Sequence, residues 1–491
     1  MICNMHLDNL SLLGVLAILL QFAIMGSVIL RVILTRHPPG SAFAWILLTT
    51  ILPYIGFFLY LMFGERPIGR LRRRRLREIL TRWGRLAYHK ISPVGPLPKL
   101  LMQHRSFIHL ACKLGGMPIA SGSRTQLLGS ADKTIASLLQ DICAAQSSID
   151  MEFYIWDEGG DVESIAQALL AAATRGVRVR ILVDDFGSRS FLRSKSKTSM
   201  EAAGIEIASA LPMRFLRVFG LQRADIRLHR KTVIIDRRIA YTGSFNMIDP
   251  RRYQGAKEVG AWVDAMVRVE GPAVTALMAV WTFDWALQPD GDMSDFDDDF
   301  AEELIPNCGP ASVVTVPSGP YENGDRSLLL VLEAINRAQY SLTITTPYFV
   351  PSEAVVMALH NAVLRGVDVK LIVPERADSR PVTYAMRRYF DDLLQGGVRI
   401  LLYQGGLLHT KSITIDDECS VFGTLNIDNR SLHLNFELMM VIFDSAFTTD
   451  LDKLQAEYAS RCRELNADTW RQRPLADRLK EGACFLASPI L

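Results

Sequence analysis

Two long apolar runs open the chain. Leu10 to Leu30 is apolar over about 21 residues, with Gln21 its one strongly polar member, and Ala42 to Phe63 is apolar over about 22. Each is long enough to cross a bilayer as a helix. Pro53 lies inside the second run and predicts a kink, because proline lacks an N–H and its ring clashes with the preceding turn. The connector Thr35-Arg36-His37-Pro38-Pro39-Gly40 is short and turn-forming, so the two helices are expected to be antiparallel neighbours. The first eight residues carry no Lys or Arg and the first run is long for a signal sequence, which argues against cleavage. Arg31, near the helix end, can reach the headgroups.

Further along, short apolar strands alternate with helical stretches, and the order occurs twice. Ser148 to Tyr154 reads as a strand, followed by a helical stretch, the turn Arg175-Gly176-Val177 and a buried strand through Val183. Ser341 to Tyr348 is followed by a helical stretch, Arg365-Gly366-Val367 and a buried strand through Val373. A repeated strand, helix, glycine turn and strand predicts a duplicated α/β unit, with helices packed on mixed or mostly parallel sheets. The expected organisation is two transmembrane helices over residues 1–66, a basic juxtamembrane segment over 67–120, a first lobe over 121–289, an acidic linker over 290–312, a second lobe over 313–466 and an amphipathic tail over 467–491.

The lobes also share a chemical pattern. His229, Lys231 and Asp236 fit H-x-K-x4-D and are followed by Gly243 and Asn246 as G-x-x-N; His409, Lys411, Asp416, Gly423 and Asn426 repeat it, with the histidines 180 residues apart. One such motif is weak; two with matching downstream glycine and asparagine are not a coincidence. On a strand, His229 and Lys231 share a face, as do His409 and Lys411. A core strand rarely sets a lysine beside a histidine on one face, which argues against a purely structural reading. Two histidines and two lysines can attack a phosphodiester, protonate its leaving group and neutralise its charge without a metal or cofactor. One imidazole, neutral, would attack phosphorus; the other, protonated, would supply the leaving alkoxide and then activate the next hydroxyl. Lys231 and Lys411 would hold the non-bridging oxygens as point charges, with Asn246 and Asn426 adding neutral hydrogen bonds. Gly243 and Gly423 belong to the same phosphate-binding segments. Asp236 and Asp416 lie five residues beyond each lysine, so they are expected to orient local structure and not to touch phosphate.

The doubled motif resembles the phospholipase D superfamily, and the two apolar runs together with Asn435-Phe436-Glu437 resemble its bacterial cardiolipin synthase branch, of the two-membrane-segment type. The resemblance covers nearly the whole chain. It implies duplicated phospholipase D-like lobes forming one pseudo-symmetric catalytic unit, and a phosphatidyl transfer from one phosphatidylglycerol to another through a phosphohistidine, giving cardiolipin and glycerol. It implies His229 as nucleophile and His409 as acid and base, although the near symmetry of the sequence leaves the reverse order open. It also implies that Glu437 holds a histidine ring by its other nitrogen; Glu258 is the candidate for the same task in the first lobe. Arg237-Arg238 replaces the Gly or Asn expected at the hairpin after the first motif. A hydrolytic phospholipase D, a nuclease of the superfamily and a non-enzymatic scaffold remain as alternatives, and phosphatidylethanolamine is an alternative acceptor.

Charge and cysteine content narrow the partners. The net charge is only +2, so nucleic acid is not an expected partner. Charge is segregated instead: Arg70, Arg72, Arg73, Arg74, Arg75 and Arg77 follow the second apolar run, and an acidic run extends from Asp290 to Glu303. By the positive-inside rule the arginines place the catalytic part on the cytoplasmic face of a bacterial inner membrane, where each is worth about 1 kcal/mol against anionic lipid. The acidic run reads as a solvated linker. Met213 to Leu221 and the tail from Pro474 to Leu491 mix bulky apolar and basic residues in the manner of interfacial helices, or of helices packed on a domain. The seven cysteines are scattered with no C-x-x-C pair, which suggests neither a disulfide framework nor a zinc site. His104 and His109 are expected to be ordinary surface or interface histidines, while His433, just after the second motif, is a candidate to line the site.

Overall fold

A computed structural model describes residues 2–64 apart from 36 and 38, residues 74 and 78, and residues 99–486 apart from 213–224, 254, 289–304 and 321–324. The acidic run, the Met213–Leu221 stretch, the last five residues of the tail and all of the arginine cluster except Arg74 lie outside the described residues. The N-terminal helices form one compact unit, and residues 99–212 and 227–486 belong to a second.

In the first unit a single helix runs from Ile2 to Leu34. Its Gly14–Leu34 portion is 21 residues long with a mean hydropathy of 2.3, enough to cross a membrane by length and composition. The second apolar run does not form one kinked helix. It breaks into Pro39–Ile51 and Pro53–Leu59, with a π-helical turn over Tyr60–Gly64. Leu52, at φ −128° and ψ 74°, is the break, as expected ahead of a proline. Tyr60 is buried against Val28, Val32, Trp45 and Phe57, and its hydroxyl lies 3.4 Å from His37 Nε2.

The second unit is built on strands whose order repeats. In the first lobe they are β1 Ala120–Leu128, β2 Ser148–Phe153, β3 Arg178–Asp184, β4 Glu206–Ala210, β5 Thr232–Ile235, β6 Ile239–Gly243, β7 Trp262–Val263 and β8 Met266–Glu270. In the second they are β9 Ala311–Ser318, β10 Ser341–Thr345, β11 Phe349–Val350, β12 Asp368–Pro374, β13 Arg399–Tyr403, β14 Leu407–Leu408, β15 Ser412–Ile415, β16 Cys419–Gly423, β17 Ile427–Asp428, β18 Glu437–Phe443 and β19 Cys462–Glu464. Fifteen of them form one sheet in the order β19-β13-β12-β10-β15-β16-β18-β9-β1-β8-β6-β5-β2-β3-β4. The two lobes therefore share one mixed sheet. Read outward from the antiparallel β1–β9 joint, the second lobe repeats the strand order of the first, with β19 added at its edge.

Alternation along the strands sorts side chains between two helix layers. Ile149, Met151, Phe153, Val233 and Ile235 enter an apolar core with the helices Ala131–Ala144 and Glu163–Thr174. The opposite face lies under the buried helix Ala273–Ala286 and is ionic. Arg180 Nε donates to Asp150 at 2.7 Å and its guanidinium lies 4.5 Å over Trp281; Arg230 donates to Asp284. Burial, with the neighbouring Asp284, pushes the Glu152 carboxyl well up, which favours its neutral form. The second lobe solves the same problem with neutral groups: Gln455, on the helix Ser445–Ser460, accepts from Thr414 and donates to Ser412 at 3.1 Å.

The aspartate of each motif closes a hairpin. Asp236 and Arg237 have φ of 50° and 55°, and Asp416 and Asp417 have 52° and 55°, the left-handed pair that a two-residue turn with matching twist requires. Aspartate tolerates this region, and the arginine at the second position is accommodated at the tip. The Asp236 carboxylate accepts from the backbone of Gln146, Ser147 and Ser148 at 2.7–3.1 Å, while Asp416 accepts from Gln339, Tyr340 and Ser341 at 2.7–2.8 Å. Each ties its hairpin to the start of the neighbouring antiparallel strand, β2 or β10, roughly 16 Å along the strand from the lysine. Asp416→Ala should lower stability by about 2–3 kcal/mol, seen as a lower midpoint in thermal unfolding of the detergent-solubilised chain, without a matching loss of kcat.

Candidate active site

Each motif histidine is docked by its backbone onto the other lobe. His229 N donates to Phe436 O and His409 N to Val263 O, both at 2.9 Å. Leu228 bridges Phe436, and β14 pairs in parallel with β7 so that Leu408 faces Val263. In each docking segment the next residue is a carboxylate. Glu437 lies 2.9 Å from His229 Nδ1, and Asp264 Oδ1 lies 2.6 Å from His409 Nδ1. With the carboxylate accepting from Nδ1–H, Nε2 of each ring is left for chemistry.

The Glu437 carboxylate is itself held by the hydroxyl that follows the second motif glycine, Thr424 Oγ1 donating to it at 2.6 Å. The Ser244 hydroxyl, after the first motif glycine, binds the backbone next to Asp264, donating to Ala265 O at 3.2 Å and accepting from Ala265 N at 3.0 Å. Lys231 and Lys411 are buried, and each Nζ donates to the carbonyl of the histidine two residues before it at 2.6 Å. The ring environments differ. Tyr154 meets His229 edge-on, centroids 5.1 Å apart, whereas Trp262 stacks on His409 at 4.8 Å and 13°, with Tyr253 stacked behind it at 4.7 Å. Arg230, between His229 and Lys231, reaches the other way: Nε donates to Glu437 O at 3.0 Å and Nη2 to Ser318 O at 2.9 Å. Its counterpart Thr410 donates to Val263 O at 3.2 Å.

Packing two lysines into a buried seam sets the charge balance. Burial pushes Lys231 down to about 8; burial and Lys231 push Lys411 down to about 7. Burial and the two lysines, joined by Arg430, push His229 well down. Burial and Lys411 lower His409 to about 4, against the pull of Asp264. Burial raises the Glu437 carboxyl to about 7. Asp264 goes the other way: burial opposes its ionisation, but His409, Lys411 and Ser244 hold it below the usual range. Each lysine thus acts on both imidazoles, which places all four groups in one site.

Comparison with known proteins identifies the family. The family model described as "Cardiolipin synthase, PLD-like domain" matches residues 138–271 and 331–458, and one described as "Phospholipase_D-nuclease N-terminal" matches residues 23–65. The chain belongs to the cardiolipin synthase family of phospholipase D-like proteins. Proteins named cardiolipin synthase A from Edwardsiella ictaluri and Klebsiella pneumoniae are each 39 % identical to it over 97 % of this chain and 98 % of their own length. That of Proteus mirabilis is 37 % identical over 98 % and 99 %. Among solved structures, a phosphatidylserine synthase from Haemophilus influenzae shares the fold, with a TM-score of 0.58 at 16 % identity over 78 % of this chain and all of that one.

Several candidate residues take other places. Glu258 is not the first-lobe partner: it is exposed and lies 3.5 Å from Arg380, and Asp264 holds His409 instead. Glu437 does hold a histidine, but the one in the other lobe. Asp236 and Asp416 sit at the far hairpin ends. Gly243 and Gly423 serve close packing, since a Cβ at either would lie 2.5 Å from Ala265 O or 2.2 Å from Leu438 O. Asn246 accepts from Ile155 N at 3.2 Å, and Asn426 is buried directly ahead of β17. His433 is bound to Asp325 at 2.8 Å, His104 is buried against Arg337, and His109 is exposed.

Asp264 was hidden because its spacing from the first asparagine differs from that of Glu437 from the second, 18 residues against 11. Ser244 and Thr424 stand inside the quoted G-x-x-N motifs, and their shared hydroxyl was the available signal.

Two outcomes follow from this arrangement. Asp264→Asn should reduce kcat on the order of 10⁴-fold, as loss of a histidine-orienting carboxylate does elsewhere, while Glu258→Gln leaves it unchanged. The lysines must be charged to hold an anion, so affinity for a phosphodiester is present below the lysine values and lost as pH rises. KM for phosphatidylglycerol should therefore climb between about pH 7 and pH 9, and an initial-rate pH series with KM flat across that range would contradict the charge assignment.

Proposed function

We propose that this chain is a membrane phosphatidyltransferase that joins two phosphatidylglycerol molecules into cardiolipin and releases glycerol. The observation that carries this reading is the pair of cross-held histidines with two buried lysines, in a chain similar end to end to proteins named cardiolipin synthase A. His229 Nε2 attacks the phosphorus of one phosphatidylglycerol. The bond from phosphorus to the glycerol headgroup oxygen breaks, and that oxygen takes the proton from His409 Nε2. The primary hydroxyl of a second phosphatidylglycerol then attacks the phosphohistidine, gives its proton to His409, and the phosphorus–nitrogen bond breaks. Lys231 and Lys411 bind the non-bridging oxygens throughout.

The asymmetry of the seam supports this order of roles. His409 pairs with a carboxylate held ionised and stacks its ring on an indole, and both favour imidazolium. The carboxyl beside His229 is pushed up by burial and is a weaker partner for a cation, which suits a neutral nucleophile. Burial and the two lysines depress both imidazoles, and a bound phosphodiester anion counters the lysines' repulsion, so the acid becomes protonated with substrate present.

The Gly14–Leu34 helix supports attachment to a membrane. With the two apolar helices over Pro39–Gly64 folded back on it, a two-span insertion in the bacterial inner membrane is proposed, the catalytic unit lying on the cytoplasmic side by the arginine content of 70–77. Water as acceptor would give phosphatidic acid from the same groups, and the product separates the readings. Lipid mass spectrometry of a host lacking its own cardiolipin should show cardiolipin on expression of this chain and none with His229→Ala or His409→Ala. Phosphatidic acid without cardiolipin, or undiminished cardiolipin in either variant, would contradict the proposal.

A further inference from the structure

The C-terminal helix Leu475–Leu486 turns an apolar face outward although it is firmly built into the fold. Its inner side is fixed by charge. Glu481 is fully buried and accepts from Arg473 Nε at 2.9 Å; Arg473 also donates to Asp391 at 2.8 Å, and Arg387 lies 3.2 Å from Glu481. Arg473 and Arg387 stack 4.7 Å and 5.0 Å over Trp470. The outer side carries Leu475, Leu479 and Leu486, exposed at 68 %, 65 % and 81 %. At offsets of four and eleven residues they form one stripe along the helix.

Charge around this stripe is one-sided. Arg471, Arg478 and Lys480 are exposed, while the two carboxylates of the helix are withdrawn, Asp477 half-buried beside Lys480 and Glu481 inside. Apolar side chains ringed by cations, with no exposed carboxylate among described residues 471–486, complement an anionic lipid surface better than a protein partner of mixed charge. The helix also leads to the site. Phe485 packs edge-on to Tyr389 at 5.4 Å, Tyr389 donates to Pro351 O at 2.9 Å, and the adjoining β11 pairs with β17, which begins directly after Asn426.

We propose that the outer face of Leu475–Leu486 docks the catalytic unit onto an anionic phospholipid surface, at the rim from which substrate enters. This rests on the lipid substrate proposed above, and it adds a second attachment to that of Gly14–Leu34. The three leucines are exposed, so charged replacements there leave the buried Glu481 and Arg473 anchor intact. The test compares the full-length chain with the triple variant Leu475→Asp, Leu479→Asp, Leu486→Asp. Reconstituted into phosphatidylglycerol vesicles, the variant should make cardiolipin at least about tenfold more slowly, since each buried leucine contributes appreciable apolar area. On short-chain phosphatidylglycerol below its micellar concentration the two should be equal. Equal rates in both assays, or an equal loss in both, overturn the docking. Absence of cardiolipin from the wild-type chain in the soluble assay instead overturns the reaction. The docking then still has its own readout, because a phosphatidylglycerol with a photoreactive acyl chain should label segment 474–486 in the wild type and not in the variant. No label in the wild type, or a crosslink to a second chain there, overturns it.

Discussion

The site depends on an exchange of carboxylates between lobes. Glu437 belongs to the second lobe and fixes His229 of the first; Asp264 belongs to the first and fixes His409 of the second. The same two segments accept the histidine backbone N–H groups, so ring and main chain are set by one contact. Neither lobe alone holds a complete histidine dyad. The constraint reaches into the framework: the β1–β9 joint makes one sheet of two lobes, and Arg230 bonds the carbonyl of Glu437 from beneath. Arg230 is fully buried with Asp284, a pairing in which loss of either partner leaves an uncompensated charge and costs about 3–5 kcal/mol.

Electrostatics turns this framework into a site for an anion. Burial lowers the protonation of both imidazoles, and the two buried lysines, which also repel each other, lower it further. Such an arrangement suits the phosphodiester of the proposed reaction, whose single negative charge would lie where the transition state gathers more. Stabilisation of developing charge by preorganised donors in a water-poor site is commonly the largest catalytic contribution. The lysines need no flexibility for this, since their ammonium groups are pinned on the histidine carbonyls.

Much of this was legible in the chain. The repeated motif announced two lobes, and period-two alternation placed His229 with Lys231 and Arg230 on the opposite side, as found. The glycine turns at Gly176 and Gly366 adopt φ of 87° and 90°, the conformation for which glycine is suited. The role of Asp236 and Asp416 as local organisers was also readable, from their distance along the strand. Three features were not. The partner of His409 is set by a contact between segments 145 residues apart, which no local pattern encodes. The kink expected at Pro53 becomes a full break between two helices that pack closely, as a Cβ at Gly56 would lie 2.7 Å from Thr49 Cα, and that closeness is not written in the local pattern. The fusion of two sheets into one depends on β1 and β9, which lie outside the repeated strand–helix–strand segments that revealed the duplication.

The most direct test of a single joint site is the stoichiometry of the covalent intermediate. The chain is mixed rapidly with phosphatidylglycerol, quenched at alkaline pH where a phosphohistidine survives, and weighed intact by mass spectrometry before peptide mapping. One phosphatidyl group per chain, on the peptide that contains His229, is the predicted result. Two groups per chain, one on each histidine, would mean that the lobes act as separate sites and would contradict the account.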